Sequence, residues 1–380
     1  MSIYLDNAAT TALDPEVFEA MKPFMLSEFG NPSSTHSHGR KVRSAIEKGR
    51  KKIAEILNCT PGEIIFTSGG TEADNAIIVS SIHTYNIKHA ISSAIEHHAV
   101  SHTLEVLAGE GIIELHLVRL DEKGNVDYDD LERLLKKYPG ALVSLMHANN
   151  EIGNVLDIER VANLVDQHKG YFHSDTVQSI GHYRHDLKKL KIHAMTAAAH
   201  KFHGPKGVGF MYINKDKKIQ PFVHGGAQER NMRGGTENTF GIVGLTKAME
   251  IAYADLEHHM DYIKGLKTKM IDLLKENIPG VEFNGESGDV ETSLYTVLNV
   301  SFPESEENEM LLFNLDMDGI SASGGSACSS GASAGSHVLN ALYPGSKRGA
   351  VRFSFSKYTK PEEIEETVEK LVKFFKVPVS

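Results

Sequence analysis

Three stretches of the 380-residue chain carry side chains whose types and spacing could do chemistry. In the first, Phe66-Thr67-Ser68-Gly69-Gly70-Thr71-Glu72, a β-rich run passes through a Ser/Gly/Thr turn into a helical pattern. Such a turn offers backbone N–H groups and hydroxyls to a phosphate at a helix N-terminus. No lysine follows the glycines, so it is not a Walker loop, and a plain helix cap by Ser68 or Thr71 accounts for the same residues. In the second, Asp175 and Gln178 close the run YFHSDTVQ, and Ala199-His200-Lys201-Phe202-His203-Gly204-Pro205-Lys206-Gly207 follows. A lysine among small residues beyond a strand end is a candidate Schiff-base amine, because burial lowers its pKa and frees its lone pair. An upstream aspartate could hold a proton on a pyridine nitrogen and make that ring an electron sink. A surface lysine beside a capping aspartate is the structural alternative. The third stretch, Ser321-Ala322-Ser323-Gly324-Gly325-Ser326-Ala327-Cys328-Ser329-Ser330-Gly331, surrounds one thiol with small residues. A run of this kind builds no packed core, so it predicts an exposed loop in which Cys328 could meet both a substrate and an acceptor.

The other cysteine, Cys59, follows the amphipathic pattern ending Glu55-Ile56-Leu57 and precedes a strand, which marks it as a structural thiol. Two cysteines make no disulfide framework, so each reads as a free thiol. The 20 histidines include the close pairs His36 and His38, His97 and His98, and His258 and His259. None has the spacing of a zinc signature, and no metal site is expected. A formal charge of −10 argues against general affinity for nucleic-acid backbone or anionic lipid, and no apolar run approaches the length of a bilayer span. Asp6 interrupts the opening MSIYLDNAATT where a signal peptide needs an apolar region, so a cytoplasmic protein with small-molecule and protein partners is expected.

These residues need a scaffold to bring them together. From about residue 15 to residue 255, helical periodicity alternates with short β-rich runs, the pattern of a parallel sheet with helices on both faces. It predicts helices over 15–26, 42–57, 72–85, 99–110, 128–137 and 158–168, and strands over 63–67, 89–93, 113–118, 141–147, 171–175, 194–198 and 207–213. Several of these seven strands end in polar residues at the carboxyl edge, where open α/β sheets bind ligands. One long helix over 239–275 then leads into a stretch of different character, with a strand over 294–300, a helix near 308–316 and a closing helix over 361–375. Length and pattern suit a large domain over 15–255 and a smaller α/β domain beyond it.

Taken in order, the stretches YLDNAATT, FGNPSS, EIIFTSGGTEADN, EHHAV, MHANNEIG, HSDTVQS, HKFHGPKG, HGGAQERNMRGGTEN, LNVSF, SGGSACSSG, SHVL and VRFSF resemble the cysteine desulfurases of the NifS and IscS type, from residue 3 to about residue 375. These are class V aminotransferases, a branch of the fold type I enzymes that depend on pyridoxal 5'-phosphate (PLP). The resemblance implies a seven-stranded, mainly parallel sheet in the large domain, with residues 1–14 joining 256–380 in a small α/β domain that carries the cysteine loop 321–337. It makes Lys201 the Schiff-base lysine, Asp175 the partner of the pyridine nitrogen and Gln178 a donor to the phenolic oxygen. His97 stacks on the ring and helps move protons. Gly70, Thr71 and His200 belong to the phosphate site, with Thr236 reaching in from a second subunit of a homodimer. Asn150, which also borders the cofactor, and Arg352 hold the substrate L-cysteine, the arginine pairing its carboxylate through a planar fork. Cys328 stands where the family forms its persulfide. The product is L-alanine, and the sulfur goes on to an iron–sulfur scaffold or another acceptor protein, for cluster assembly or another thiolation pathway.

One position departs from the family pattern. A serine usually stands three residues before the Schiff-base lysine and bonds the phosphate, whereas this chain has Ala198. Loss of one hydrogen bond to a charged group, about 1–3 kcal/mol, implies weaker cofactor retention unless Ser68 or a water replaces it. The segment from Ser321 to His337 shows no deletion and carries Gly331 and Gly335, which places it with the long-loop members. A PLP aminotransferase and a selenocysteine or cysteine sulfinate lyase would use the same lysine and aspartate, the aminotransferase without any need for Cys328. A nucleotide-binding regulatory protein would use the 68–71 turn alone and leave Lys201 structural.

Overall fold

The computed structural model describes residues 2–324 and 335–375. In chain order these form β1 (Ile3–Tyr4), α1 (Pro15–Leu26), α2 (Ser37–Ile56), β2 (Ile64–Thr67), α3 (Gly70–Tyr85), β3 (His89–Ser92), α4 (His98–Gly109), β4 (Glu114–Leu117) and α5 (Tyr128–Lys137). There follow β5 (Leu142–Ser144), α6 (Ile158–Gln167), β6 (Tyr171–Asp175), β7 (Ala194–Ala198), β8 (Gly209–Ile213), α7 (Thr239–Ala254) and α8 (Leu256–Asn277). The remainder is β9 (Glu282–Phe283), β10 (Val297–Phe302), α9 (Leu311–Met317), β11 (Ile320–Ser321), α10 (His337–Leu342), β12 (Gly349–Ser354) and α11 (Pro361–Phe375).

Successive side chains of a strand point to opposite faces, and here each face has its own apolar cover. Phe66, Ile91, Val143, Phe172 and Met195 enter one core with α1, α2 and α7. Their neighbours Ile65, Ala90, Leu142, Tyr171 and Ala194 enter another with α3 and α4. A sheet covered on both sides must be apolar at consecutive positions, and the runs IIF, AI, LV and YF are so. The seven strands lie in the order β2-β8-β7-β6-β5-β3-β4. They run parallel from β4 across to β7, and β8 is antiparallel to both its neighbours. The mainly parallel seven-stranded α/β sheet expected from the pattern is therefore present.

The single helix expected over 239–275 is two helices. The chain turns at Asp255, with φ −133° and ψ 37°. Before the break, Ile242, Leu245, Ala248 and Met249 pack into the core that α1 and α2 share. After it, Ile263, Leu266, Met270 and Ile271 pack into a different core, with β10, β12 and α11. One straight axis cannot present its apolar stripe to both. The second core is built on the antiparallel sheet β12-β10-β9, in which Asn299 pairs with Arg352. Ile3 and Leu5 belong to it, because β1 runs parallel to β11 with Ile3 opposite Ile320. The start of the chain thus lies against its end and passes over the carboxyl edge of the large sheet on its way to α1.

Candidate active site

One cavity at that edge is lined by Gly70, Thr71, His97, Asn150, Asp175, Gln178, His200, Lys201 and Arg352, together with Ala8, Ala9, Asp74 and Ala198. Asp175 and Ala198 are the last residues of β6 and β7, and Lys201 lies in the short 3₁₀ turn that follows β7. The sheet's register therefore sets the distance between acid and amine. Lys201 Nζ donates to the carbonyls of Ala8 and Ala9 at 2.7 and 2.8 Å. Gln178 Nε2 donates to the Ala8 carbonyl at 3.0 Å, so the N-terminal segment positions both side chains.

The helix α3 begins at this cavity without a side-chain capping bond. The capping role open to Ser68 or Thr71 is not taken up, and the positive end of a 16-residue helix is left for an anion. Glycine is needed at position 70, where a Cβ would lie 2.9 Å from Val177 Cγ2. His200 shares a hydrogen bond of 3.1 Å with Thr10 Oγ1, and burial lowers its pKa to about 4. Ala198 is buried and presents a methyl group to the cavity. Ser68 lines a separate cleft with Thr236, Gly207 and Arg233.

His97 caps α4, its Nδ1 accepting from the N–H of Ala99 at 3.1 Å. Burial lowers its pKa although the Asp175 charge opposes this, so the neutral ring carries its proton on Nε2. Asp175 Oδ1 accepts from the N–H of Val177 at 2.9 Å. Burial, followed by the like charge of Asp74, pushes its pKa up to about 6. Asp74 is a cavity residue that the sequence reading missed, because a single acid inside a regular helical pattern carries no local signal. Burial pushes it to about 7, and His173 Nε2 lies 3.3 Å from its Oδ1.

Arg352 is 1% exposed. Its Nη1 donates to the carbonyl of Asn150 at 2.9 Å and its Nη2 to Asp6 Oδ1 at 2.9 Å, while Nε has no hydrogen-bond partner among the described residues. Asp6 is the second residue missed, since only the pairing of β1 with β11 brings it to the end of β12. Cys328 lies outside the described residues. Cys59 packs on the large core away from the cavity, and burial pushes its thiol up to about 12, as suits an unreactive structural cysteine.

PLP asks for an anion cradle, an acid for its ring nitrogen and an amine for its carbonyl carbon. The uncapped start of α3, Asp175 and Lys201 meet these three demands within one cavity, so the residues present fit that group.

Residues 3–367 match the model of the aminotransferase class-V family. The cysteine desulfurase IscS of Dictyoglomus turgidum is 42% identical to the chain over 373 residues, covering 97% of this chain and 93% of that protein. A solved NifS-like protein matches with a TM-score of 0.90 at 36% identity, covering 98% of this chain and 99% of the other. A structure of SspA in complex with cysteine matches with a TM-score of 0.80 at 29% identity, covering 94% and 100%.

Proposed function

The chain belongs to the aminotransferase class-V family, and on that premise we propose that it is a cysteine desulfurase, which converts L-cysteine to L-alanine and leaves the sulfur on Cys328 as a persulfide. The observation that carries this reading is the convergence of Lys201, Asp175 and Arg352 on one cavity at the carboxyl edge of the sheet. Near-full-length similarity to proteins named cysteine desulfurase, and to one solved with cysteine, supports the choice of substrate.

In this reading Lys201 would hold PLP, Asp175 and Gln178 would serve its ring, and the start of α3 with Gly70, Thr71 and His200 would take its phosphate. Bound there, PLP would supply the electron sink for chemistry at the substrate's α and β carbons. The chain's own groups do the rest. Asp175, its pKa already raised by burial, can share a proton with a ring nitrogen. His97 holds a proton on Nε2 beside the cavity because its Nδ1 is committed to capping α4. An incoming carboxylate takes over the Arg352 Nη2 that Asp6 now occupies, with Asn150 beside it. In the net reaction the substrate C–S bond breaks and an S–S bond to Cys328 forms. Each of the two sulfurs loses one electron as the substrate's β carbon gains two, and the proton given up by the Cys328 thiol is balanced by the one the β carbon takes on, so no outside oxidant is needed.

The proposal extends to a homodimer in which Thr236 completes the phosphate site of a second copy, and to a large unit over 15–255 with a small one over 1–14 and 256–380. It includes a cytoplasmic setting and an iron–sulfur scaffold or other acceptor protein as sulfur recipient. Among the described residues, no helix is long and apolar enough to cross a membrane.

The test is alanine and sulfide release from L-cysteine with a reductant, on the wild type and on Cys328→Ala matched for PLP content by absorbance. Alanine formation by the wild type and its loss in the cofactor-replete variant are expected. Equal activity in the two would remove Cys328 as acceptor and favour a lyase or aminotransferase. Lys201→Ala should lose the cofactor absorbance band, and retention of that band would sink the assignment of Lys201.

A further inference from the structure

At the amino ends of β3 and β4, on the edge of the sheet opposite the cofactor cavity, three side chains from two neighbouring strands meet. His89 and Glu114 open their strands and lie opposite each other in the parallel register. His116, two residues beyond Glu114, shares its face. His89 Nδ1 and His116 Nε2 are 3.3 Å apart, and Glu114 Oε2 lies 3.6 Å from the first and 3.9 Å from the second. One donor atom from each residue falls within 4.8 Å of the other two.

We propose that His89, Glu114 and His116 form a binding site for a divalent transition metal ion, with zinc as the reference case. Two nitrogens bonded at about 2.0–2.1 Å to a tetrahedral ion stand about 3.3–3.4 Å apart. The two imidazoles already have that separation. They are held there by packing: the ring of Tyr138 stacks on His116 at 3.9 Å and 12°, and lies 4.5 Å from His89 at 31°. Two ligands are thus oriented before any ion arrives, which removes much of the ordering cost of binding. The third ligand can adjust, because the Glu114 side chain is 70% exposed. Among the described residues no lysine or arginine pairs with Glu114, whose ion-pair partners are these two histidines.

Imidazole and carboxylate together suit zinc, nickel or copper(II) better than calcium or magnesium. Lys137, whose ammonium lies 5.0 Å from the Tyr138 ring centre, is the charge that opposes a cation here. Its stem is flexible, and the Glu114 carboxylate, 3.6 and 3.9 Å from the two ring nitrogens, offsets its charge. Three protein ligands leave the fourth tetrahedral position open to water or to a group from another molecule. The sequence holds no signature for this site because its ligands sit on separate strands and not at the spacing of a finger or a helix. An ion here would tie two neighbouring strands together and raise the stability of that edge by mass action.

The test is calorimetric titration of the PLP-loaded protein with zinc chloride alone, with nickel chloride as a second probe, on the wild type, His116→Asn and Glu114→Gln. Glu114→Gln changes an exposed side chain and leaves both packed rings in place, so it remains informative if the histidine variant folds poorly. The wild type should bind one more equivalent per chain than His116→Asn. Glu114→Gln should bind that equivalent about tenfold more weakly or worse, having lost one of three ligands. Zinc should raise the melting temperature of the wild type and not of His116→Asn. Equal stoichiometry and affinity across the three proteins would overturn the site and assign any zinc uptake to the thiols or the cofactor cavity. No uptake by the wild type at micromolar zinc would overturn it as well. The PLP absorbance, followed in every arm, reports separately on the cofactor cavity, so a failure here leaves the desulfurase reading untouched.

Discussion

Asp74 lies one turn inside α3, 1% exposed, and lines the same cavity as Asp175. Burial raises both carboxyls, to about 7 and about 6, and the Asp74 charge contributes to the second shift. An unfolded aspartate titrates near about 4. Between about pH 4 and pH 7 the folded chain therefore holds protons that the unfolded chain has released, and these two groups contribute stability that is lost as pH rises through that window. Asp74→Asn removes one such proton and the repulsion behind the other. In cofactor-free protein the variant should gain on the wild type by about 1 kcal/mol or more between about pH 5 and about pH 8, read from urea unfolding. A difference that does not change with pH would show that the two carboxyls do not interact. Arg352 was found through the family resemblance, whereas Lys201 and the helix start at Gly70 stood out in the sequence because each sits in a dense local motif. Asp74 and Asp6 did not, because what matters about them is a contact made through the fold, to Asp175 in one case and to Arg352 in the other.

At the scale of elements, the legible parts were those whose apolar pattern has one owner. The helices Pro15–Leu26, Tyr128–Lys137 and Pro361–Phe375 and the strands Tyr171–Asp175 and Ala194–Ala198 begin and end where their patterns do. The 239–275 stretch misled because its pattern serves two cores in turn, and no glycine or proline marks the change at Asp255. The strand Gly349–Ser354, which carries Arg352, was not anticipated. It follows a turn-rich stretch, and its ladder partner Val297–Phe302 lies some fifty residues earlier in the chain. A similar hidden tie holds the turn before α3. Glu229 accepts from Arg50 Nη1 and Nη2 at 2.7 and 2.8 Å, and from the N–H of Phe66 at 2.8 Å. It does so from a strained stretch, with Glu229, Arg230 and Asn231 all at positive φ. The tie fastens α2, β2 and the segment leading to Thr236 to one another. Glu229→Gln removes the buried charge facing Arg50, leaving it the half-exposed Glu47 at 3.2 Å, and should destabilise the protein by about 2–4 kcal/mol in urea unfolding. Arg50→Met together with Glu229→Met should restore part of that loss, since no charge is then left unpaired. If Glu229→Gln costs less than about 1 kcal/mol, the pair is not what holds the segment.

Over the whole molecule, the 20 histidines are the feature whose meaning depended most on the fold. Composition could not say which of them are buried, and burial decides their effect. His147 is lowered to about 3, and His173, His182 and His185 to about 4, each chiefly by loss of solvation. Their hydrogen bonds are those of neutral rings. His147 Nδ1 meets His185 Nε2 at 3.1 Å, His173 bridges Ser144 and Thr196, and His182 lies between Tyr295 and the Lys201 carbonyl. An unfolded histidine takes up its proton near about pH 6.5. As pH falls from there toward about 4, the unfolded chain gains protons that these four folded rings refuse, so stability present above about pH 6.5 is lost across that window. Even one unit of realised shift in each ring amounts to about 1.4 kcal/mol per histidine. Asp74 and Asp175 act in the opposite direction, and so does Glu96, which burial raises to about 8. Their window overlaps that of the histidines, but three acids stand against seven rings, because burial lowers His193, His200 and His203 to about 4 as well, so the histidines govern the acid limb. Urea midpoints measured across the acid range should fall steeply below about pH 6, with unfolding reached while carboxylates of ordinary pKa are still ionised. Replacing His147 and His185 together with asparagine should flatten that limb, because the paired rings then no longer titrate on unfolding. A midpoint that stays level down to about pH 4 would mean that the buried rings are reached by water, and that this sheet edge is looser than its packing implies.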